Sequence, residues 1–283
     1  MKTSDKFTYF RNPKGIVPYV RYDLNTMDPG KKDYPLVIFL HGAGETGNGS
    51  EEQYGKLKNS RNHANLLAWG DQKGFLVLAP QFNINANYTY VNGVPQNNWQ
   101  PDWKGGQYIM DVITWAKENM PIDPTRIYLT GLSSGGGGCL DFPTQKQEFA
   151  DAIAALLPIC PADQKVVSYD YPVRSSLPVW LHHANDDPSN GVTASINYAK
   201  ELNNRGIQPA AKATIYPTGG HGIWGKVYGD VVNIDWMLAQ KIGATIPQEP
   251  EEPNEPEQPT KTIVAKLEIT LYSDGSTETK KLQ

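Results

Sequence analysis

The sequence predicts an α/β fold in which a mostly parallel central sheet is covered by helices on both faces. Short, largely apolar runs such as Leu36 to Leu40 and Ile127 to Thr130 read as buried strands. Between such runs, apolar residues recur at helical spacing, as at Tyr108, Val112, Trp115 and Ala116. Alternating signals of this kind mean parallel strands joined by crossover helices. The chain has 283 residues, 39% of them hydrophobic, which is enough to bury one large core.

Taken in order, Phe7 to Tyr9 and Tyr19 to Tyr22 alternate like an antiparallel hairpin at the sheet edge. The strand Leu36 to Leu40 follows, then a helix near Asn62 to Trp69 and a strand from Phe75 to Ala79. Pro80 to Trp103 is rich in Asn, Gln, Tyr and Trp, has no clear period, and reads as a lid or wall over a site. Gly106 to Asn119 is a crossover helix, Ile127 to Thr130 a strand, and Ala152 to Ile159 another. Thr193 to Asn204 forms a helix, and Trp224 to Ile242 a single closing helix.

After the strand Ile127 to Thr130 comes Gly131-Leu-Ser-Ser-Gly135, with Ser133 at the centre of a G-x-S-x-G pentapeptide. Such a serine attacks a carbonyl only if its hydroxyl projects from a sharp strand-to-helix turn, where side chains at the flanking glycines would clash. The pentapeptide is a common pattern by itself; the strand before it and the glycine run after it raise its weight. Upstream, Leu36 to Leu40 breaks into His41-Gly-Ala-Gly44, placed to supply half of an oxyanion hole. The backbone N–H groups of Ala43 and Ser134 are the expected donors, since rigid amides stabilise a tetrahedral oxyanion with little reorganisation. His41 reads as structural.

A serine nucleophile needs a base and an acid, in the chain order Ser, Asp or Glu, His. Among five histidines, His221 is the only one beyond the candidate acids, in a strand, glycine turn, histidine sequence from Thr214. Pro178 to Ala184 is a strand running into Asp186 and Asp187. Asp186 is the preferred acid, with Asp187 as a loop residue and the alternative. His221 would accept the Ser133 proton, and the carboxylate would orient the imidazole. Trp99, Trp103 and Trp224 are candidate substrate platforms, although packing explains each at least as well.

These pieces, together with the strand ending at Gln81, the LLPIC strand ending at Cys160 and the GGHGIW box, resemble the esterase branch of the α/β-hydrolases. That branch contains acetylxylan and feruloyl esterases and related predicted peptidases, and the resemblance covers roughly residues 15 to 243. It implies the α/β-hydrolase fold, a Ser133, Asp186 and His221 triad, an oxyanion hole at Ala43 and Ser134, and ester hydrolysis with no cofactor or metal. The acid is carried over by its offset from the His-Gly that ends this strand in the family, a place held here by His182-His183. Three departures stand out: His183 for the glycine, Pro188-Ser-Asn190 after the aspartates, and Ser134 for the usual methionine.

A net charge of −4 without a basic cluster argues against a nucleic-acid partner. No run approaches a membrane span, and the polar opening Met1 to Phe7 shows no signal peptide, so an extracellular or cell-surface address rests on the expected substrate alone. Cys139 and Cys160, the only cysteines, read as buried free thiols.

Residues 1–245 form the expected hydrolase domain. Between 246 and 260, prolines repeat every third residue among glutamates, a polyproline spacer of about 40 Å. Residues 261–283 read as a hairpin around Asp274-Gly275. A lone hairpin is rarely stable in water. The tail is therefore expected to pair with a partner or another copy, to belong to a truncated module, or to be disordered alone.

The leading function is a serine carboxylic-ester hydrolase that removes acetyl or hydroxycinnamoyl groups from polysaccharide. The alternatives are a serine peptidase on the same triad and a catalytically silent module of a surface or virion assembly.

Overall fold

The computed structural model describes residues 7–10, 19–22, 28, 30–47, 55–57, 59–60, 62–81, 89–90, 94–95, 106–162, 166–244, 266–271 and 277–282. The chain divides into two compact units, Met1–Ala244 and Thr245–Gln283.

The first unit is built on an eight-stranded sheet. Its strands are β1 (Phe7–Phe10), β2 (Tyr19–Tyr22), β3 (Tyr34–Leu40), β4 (Leu76–Pro80), β5 (Ile122–Leu132), β6 (Ala155–Ile159), β7 (Trp180–Ala184) and β8 (Lys212–Tyr216). Their spatial order is β1-β2-β4-β3-β5-β6-β7-β8. β1 and β2 pair antiparallel at one edge, as their alternation suggested, and β4 through β8 run parallel. Every residue of β3 is buried, because a parallel strand is covered on both faces.

Side chains alternate across the sheet and generate two apolar layers. Leu36, Ile38 and Leu40 face one layer with Tyr108 and Ile109 of α2 (Gln107–Asn119), Leu140 of α3 (Ser134–Gln145) and Leu202 of α6 (Val192–Asn204). Val37 and Phe39 face the other with Leu66 of α1 (Ala64–Lys73), Tyr228 of α7 (Trp224–Gly229) and Met237 of α8 (Val231–Leu238). Two short helices, α4 (Gln147–Ala150) and α5 (Asp170–Arg174), complete the first unit's named helices.

Two elements differ from expectation. β5 begins at Ile122, earlier than its apolar run, through an Asp123-Pro-Thr125 segment whose composition favours a turn. Its register against β3 shifts between Tyr34 and Leu36, so Pro124, which has no N–H, sits at an irregularity. The closing helix is two helices: Asp230 takes an extended conformation (ψ 116°) and its carboxylate caps α8 by accepting from the Val232 N–H at 3.0 Å. A cap supplied inside an apolar periodic run leaves the period intact and ends the helix anyway.

In the second unit, β9 (Lys266–Leu271) pairs antiparallel with β10 (Thr277–Leu282). The Asp274-Gly275 turn, the proline repeat and most of the 80–103 segment, including Trp99 and Trp103, lie outside the described residues.

Candidate active site

The candidate residues gather at the carboxyl ends of β3, β5, β7 and β8, where a parallel sheet leaves its crevice. Ser133 follows β5 directly with φ 54° and ψ −120°, a strained conformation for a residue with a Cβ. The strain is held by neighbours. Its N–H donates to Ile159 O (3.0 Å), and its carbonyl accepts from Gly137 N (3.0 Å) and Ala162 N (2.9 Å). A Cβ on Gly135 would stand 2.0 Å from Leu40 O, and one on Gly131 would stand 2.7 Å from the same oxygen. Glycine is required at both positions to let the start of α3 approach the end of β3.

A serine preceding a helix usually caps it with its hydroxyl, but Ser133 makes no such bond. Its Oγ lies 2.9 Å from His221 Nε2, and His221 Nδ1 lies 2.8 Å from Asp187 Oδ2. An ionised carboxylate only accepts, so the partners assign the proton to Nδ1 and leave Nε2 free to accept from the serine hydroxyl. This is the arrangement a general base requires.

The acid facing His221 is thus Asp187, and Asp186 is elsewhere. Asp186 is exposed and its Oδ1 accepts from the Gly220 N–H at 2.8 Å. That bond, before any other influence, holds its carboxyl below the ordinary value. The physical reason is the turn after β7. Asp187 N donates to Ala184 O (3.3 Å), which folds the chain back, and Asp187 Oδ1 accepts from Ser189 N (2.8 Å) and Asn190 N (3.1 Å). His183 fills the space behind, with Nε2 at 3.2 Å from Asp187 Oδ2 and Nδ1 at 2.7 Å from Ser195 Oγ. Burial works to raise the Asp187 carboxyl, yet the bonds from His221, Asn190 and Ser189 carry it below the ordinary value.

His41 is fully buried, and its Nδ1 donates to Gly42 O at 2.6 Å. In a trans peptide the N–H points opposite the carbonyl, so this bond also aims the Ala43 N–H away from His41. The Gly42 N–H donates to Glu45 Oε2 at 2.8 Å. A Cβ placed on Gly42 would lie 3.7 Å from Ser133 Cβ, which puts the loop beside the nucleophile. Ser134 opens α3, so its N–H has no acceptor within the helix. The two amides thus sit on separate elements, one in the loop after β3 and one at the start of α3.

Trp224 packs edge-to-face on His221, with ring centroids 5.5 Å apart at 89°. Its Nε1–H donates to Asn62 Oδ1 at 3.0 Å. Residue patterns point to neither Glu45 nor Asn62: Glu45 lies in the loop after the strand with no motif of its own, and Asn62 carries none. Cys139 and Cys160 are buried free thiols, and burial pushes the Cys160 thiol up to about 12. Cys160, His183 and Asp187 bring three ligand-type atoms within 4.8 Å of one another. Hydrogen bonds already occupy both Asp187 oxygens and both His183 nitrogens, the latter to Ser195, Asn190 and Asp187. No helix of the described residues is long and apolar enough to cross a membrane.

No family model and no curated protein matches the chain. Solved structures do. A thermostable esterase is 30% identical with a TM-score of 0.65, over 84% of this chain and 64% of that one. The chain therefore spans less than two thirds of that relative's length. Est1E from Butyrivibrio proteoclasticus superposes with a TM-score of 0.53 at 17% identity, over 82% of this chain and 98% of that one. A ferulic acid esterase gives 0.56 at 14% identity, over 82% and 96%. The six parallel strands, the antiparallel edge and the serine turn after β5 make the chain an α/β-hydrolase by fold, similar to esterases built on it.

Proposed function

We propose that the chain is a serine carboxylic-ester hydrolase working through an acyl-enzyme on Ser133, with His221 as general base and Asp187 as its orienting acid. The observation that carries this is the continuous hydrogen-bonded line from Ser133 Oγ through His221 to Asp187, at 2.9 and 2.8 Å. His221 Nε2 takes the Ser133 proton as Oγ attacks the ester carbonyl. The Ala43 and Ser134 N–H groups stabilise the oxyanion, an effect worth about 10²- to 10³-fold per donor. His221 then gives the proton to the departing alcohol. A water, deprotonated by the same imidazole, releases the carboxylic acid and restores the serine. No step calls on a cofactor or metal.

Acetyl or hydroxycinnamoyl esters of polysaccharide are the proposed substrates. Trp224, half-buried beside His221, offers an aromatic wall for a sugar or a cinnamoyl ring. Ferulic acid has been seen bound to Est1E, an 18% identical structure, which makes methyl ferulate a natural probe.

The test is hydrolysis of p-nitrophenyl acetate and methyl ferulate by the wild type and by Ser133→Ala. We expect turnover by the wild type and a loss of about 10⁴-fold or more in the variant. The ratio between the two substrates reports whether the pocket accepts an aromatic acyl group. Equal inactivity of two folded proteins would overturn the proposal in favour of a binding role.

A further inference from the structure

We propose that Glu45, Asn62 and Trp224 form a positioning bridge that ties the Ala43 oxyanion donor to the ring of His221, an inference that rests on the hydrolase reading above. The bridge is a chain of four contacts. Glu45 Oε2 accepts from the Gly42 N–H (2.8 Å) and Glu45 Oε1 from Asn62 Nδ2 (2.9 Å). Asn62 Oδ1 accepts from Trp224 Nε1 (3.0 Å), and the Trp224 ring meets the imidazole edge-on at 5.5 Å.

Its chemistry runs one way only. An indole N–H can only donate and an ionised carboxylate can only accept, so the Asn62 amide has a single satisfied orientation. Three separate segments, the loop after β3, the turn that leads into α1 and the start of α7, are thereby held in one geometry. Glu45 is 5% exposed, and burying a carboxylate is unfavourable unless its oxygens are bonded. Both of them are spent on the two partners just named. A neutral Gln could bond one of the two donors through its single acceptor oxygen but would present N–H to the other.

The consequence concerns the transition state. His41 and Glu45 clamp the two sides of Gly42, and so set the peptide that carries the Ala43 N–H. The donor must fit the oxyanion more closely than the ground-state carbonyl, and the imidazole must meet Ser133 at the same moment. Coupling the two supports keeps both within the small tolerance that catalysis requires.

The test compares wild type, Asn62→Asp, Asn62→Ala, Trp224→Phe and the Asn62→Ala/Trp224→Phe double variant. Asn62→Asp keeps the shape and sets a carboxylate against Glu45. Trp224→Phe keeps an aromatic ring near His221 while removing the indole N–H and the second ring with it; through kcat read against boronate affinity it carries the test alone if the Asn62 variants fail to fold. For p-nitrophenyl acetate we expect kcat to fall about 10- to 100-fold, with KM little changed, in each single variant. Affinity for a phenylboronic acid, which forms a tetrahedral adduct on the serine, should fall in parallel. The double variant should lose no more than the worse single one. Unchanged kcat, unchanged boronate affinity in a slow variant, or losses that multiply would overturn the bridge. Labelling by a fluorophosphonate separates the two failures. Wild type that is labelled and active beside wild-type-like variants sinks the bridge alone, whereas wild type that is neither labelled nor active sinks the hydrolase reading and the bridge with it.

Discussion

Ser133 takes a backbone conformation that its own chemistry disfavours, at φ 54°, and the bonds to Ile159, Gly137 and Ala162 hold it there. Such a residue costs about 1–3 kcal/mol, and the return is a hydroxyl turned from its helix toward His221. At this scale the two aspartates make a sharp comparison. Asp187→Asn should lower kcat by about 10⁴-fold, since an amide no longer imposes the Nδ1–H tautomer. Asp186→Asn keeps an acceptor for the Gly220 N–H and should cost less than about tenfold. Steady-state rates on p-nitrophenyl acetate decide between them, and the opposite ranking would return the acid role to Asp186. Ser133 and His221 were legible because their patterns are local: a pentapeptide, and one histidine in the right order. Asp187 was not. The offset from the strand end selects Asp186, and only the fold-back onto Ala184, with His183 packed behind, turns the next carboxylate to the imidazole.

Among the elements, those written in apolar period were readable and those governed by a polar residue were not. β3 and α2 lie within a few residues of the expected bounds, because their burial is recorded in the sequence itself. β5 is longer than its apolar run, since Asp123 ties the early part of the strand by accepting from Thr125 N and Arg126 Nε, both at 2.9 Å. The break between α7 and α8 rests on the Asp230 cap. Asp230→Ala should therefore destabilise by about 1 kcal/mol, measured by urea unfolding, with little change in m. No loss of stability would mean that Gly229 alone ends α7. Gly135→Ala should be far more damaging. A methyl 2.0 Å from Leu40 O forces the start of α3 off β3, and we expect little folded protein by circular dichroism.

For the whole molecule, the two apolar layers hold several histidines out of water. Burial pushes His63 and His182 down to about 4, with the neighbouring His41 adding to the effect on His63. Unfolded histidine titrates near 6.5. Between those values the unfolded chain binds protons that the native state refuses. The stabilisation is thus complete above about pH 6.5 and declines as pH falls toward 4, by up to about 1.4 kcal/mol per unit for each histidine. Urea midpoints at several pH values should show this slope, and His182→Gln should flatten it; a slope unchanged by the substitution would assign it to other groups. The second unit remains, as a proposal, an interaction segment or part of a larger module, since a lone two-stranded hairpin is rarely stable in water.

The sequence by itself determined the α/β architecture, the serine turn and the histidine that faces it, because apolar period and glycine sterics act over a few neighbouring residues. The choice of Asp187 and the link from Glu45 through Asn62 to Trp224 were decided by the tertiary structure alone. Those groups meet only once β3, β7 and β8 are assembled into one sheet, and a hydrogen bond between residues 162 positions apart, as from Trp224 to Asn62, leaves no local trace in the chain.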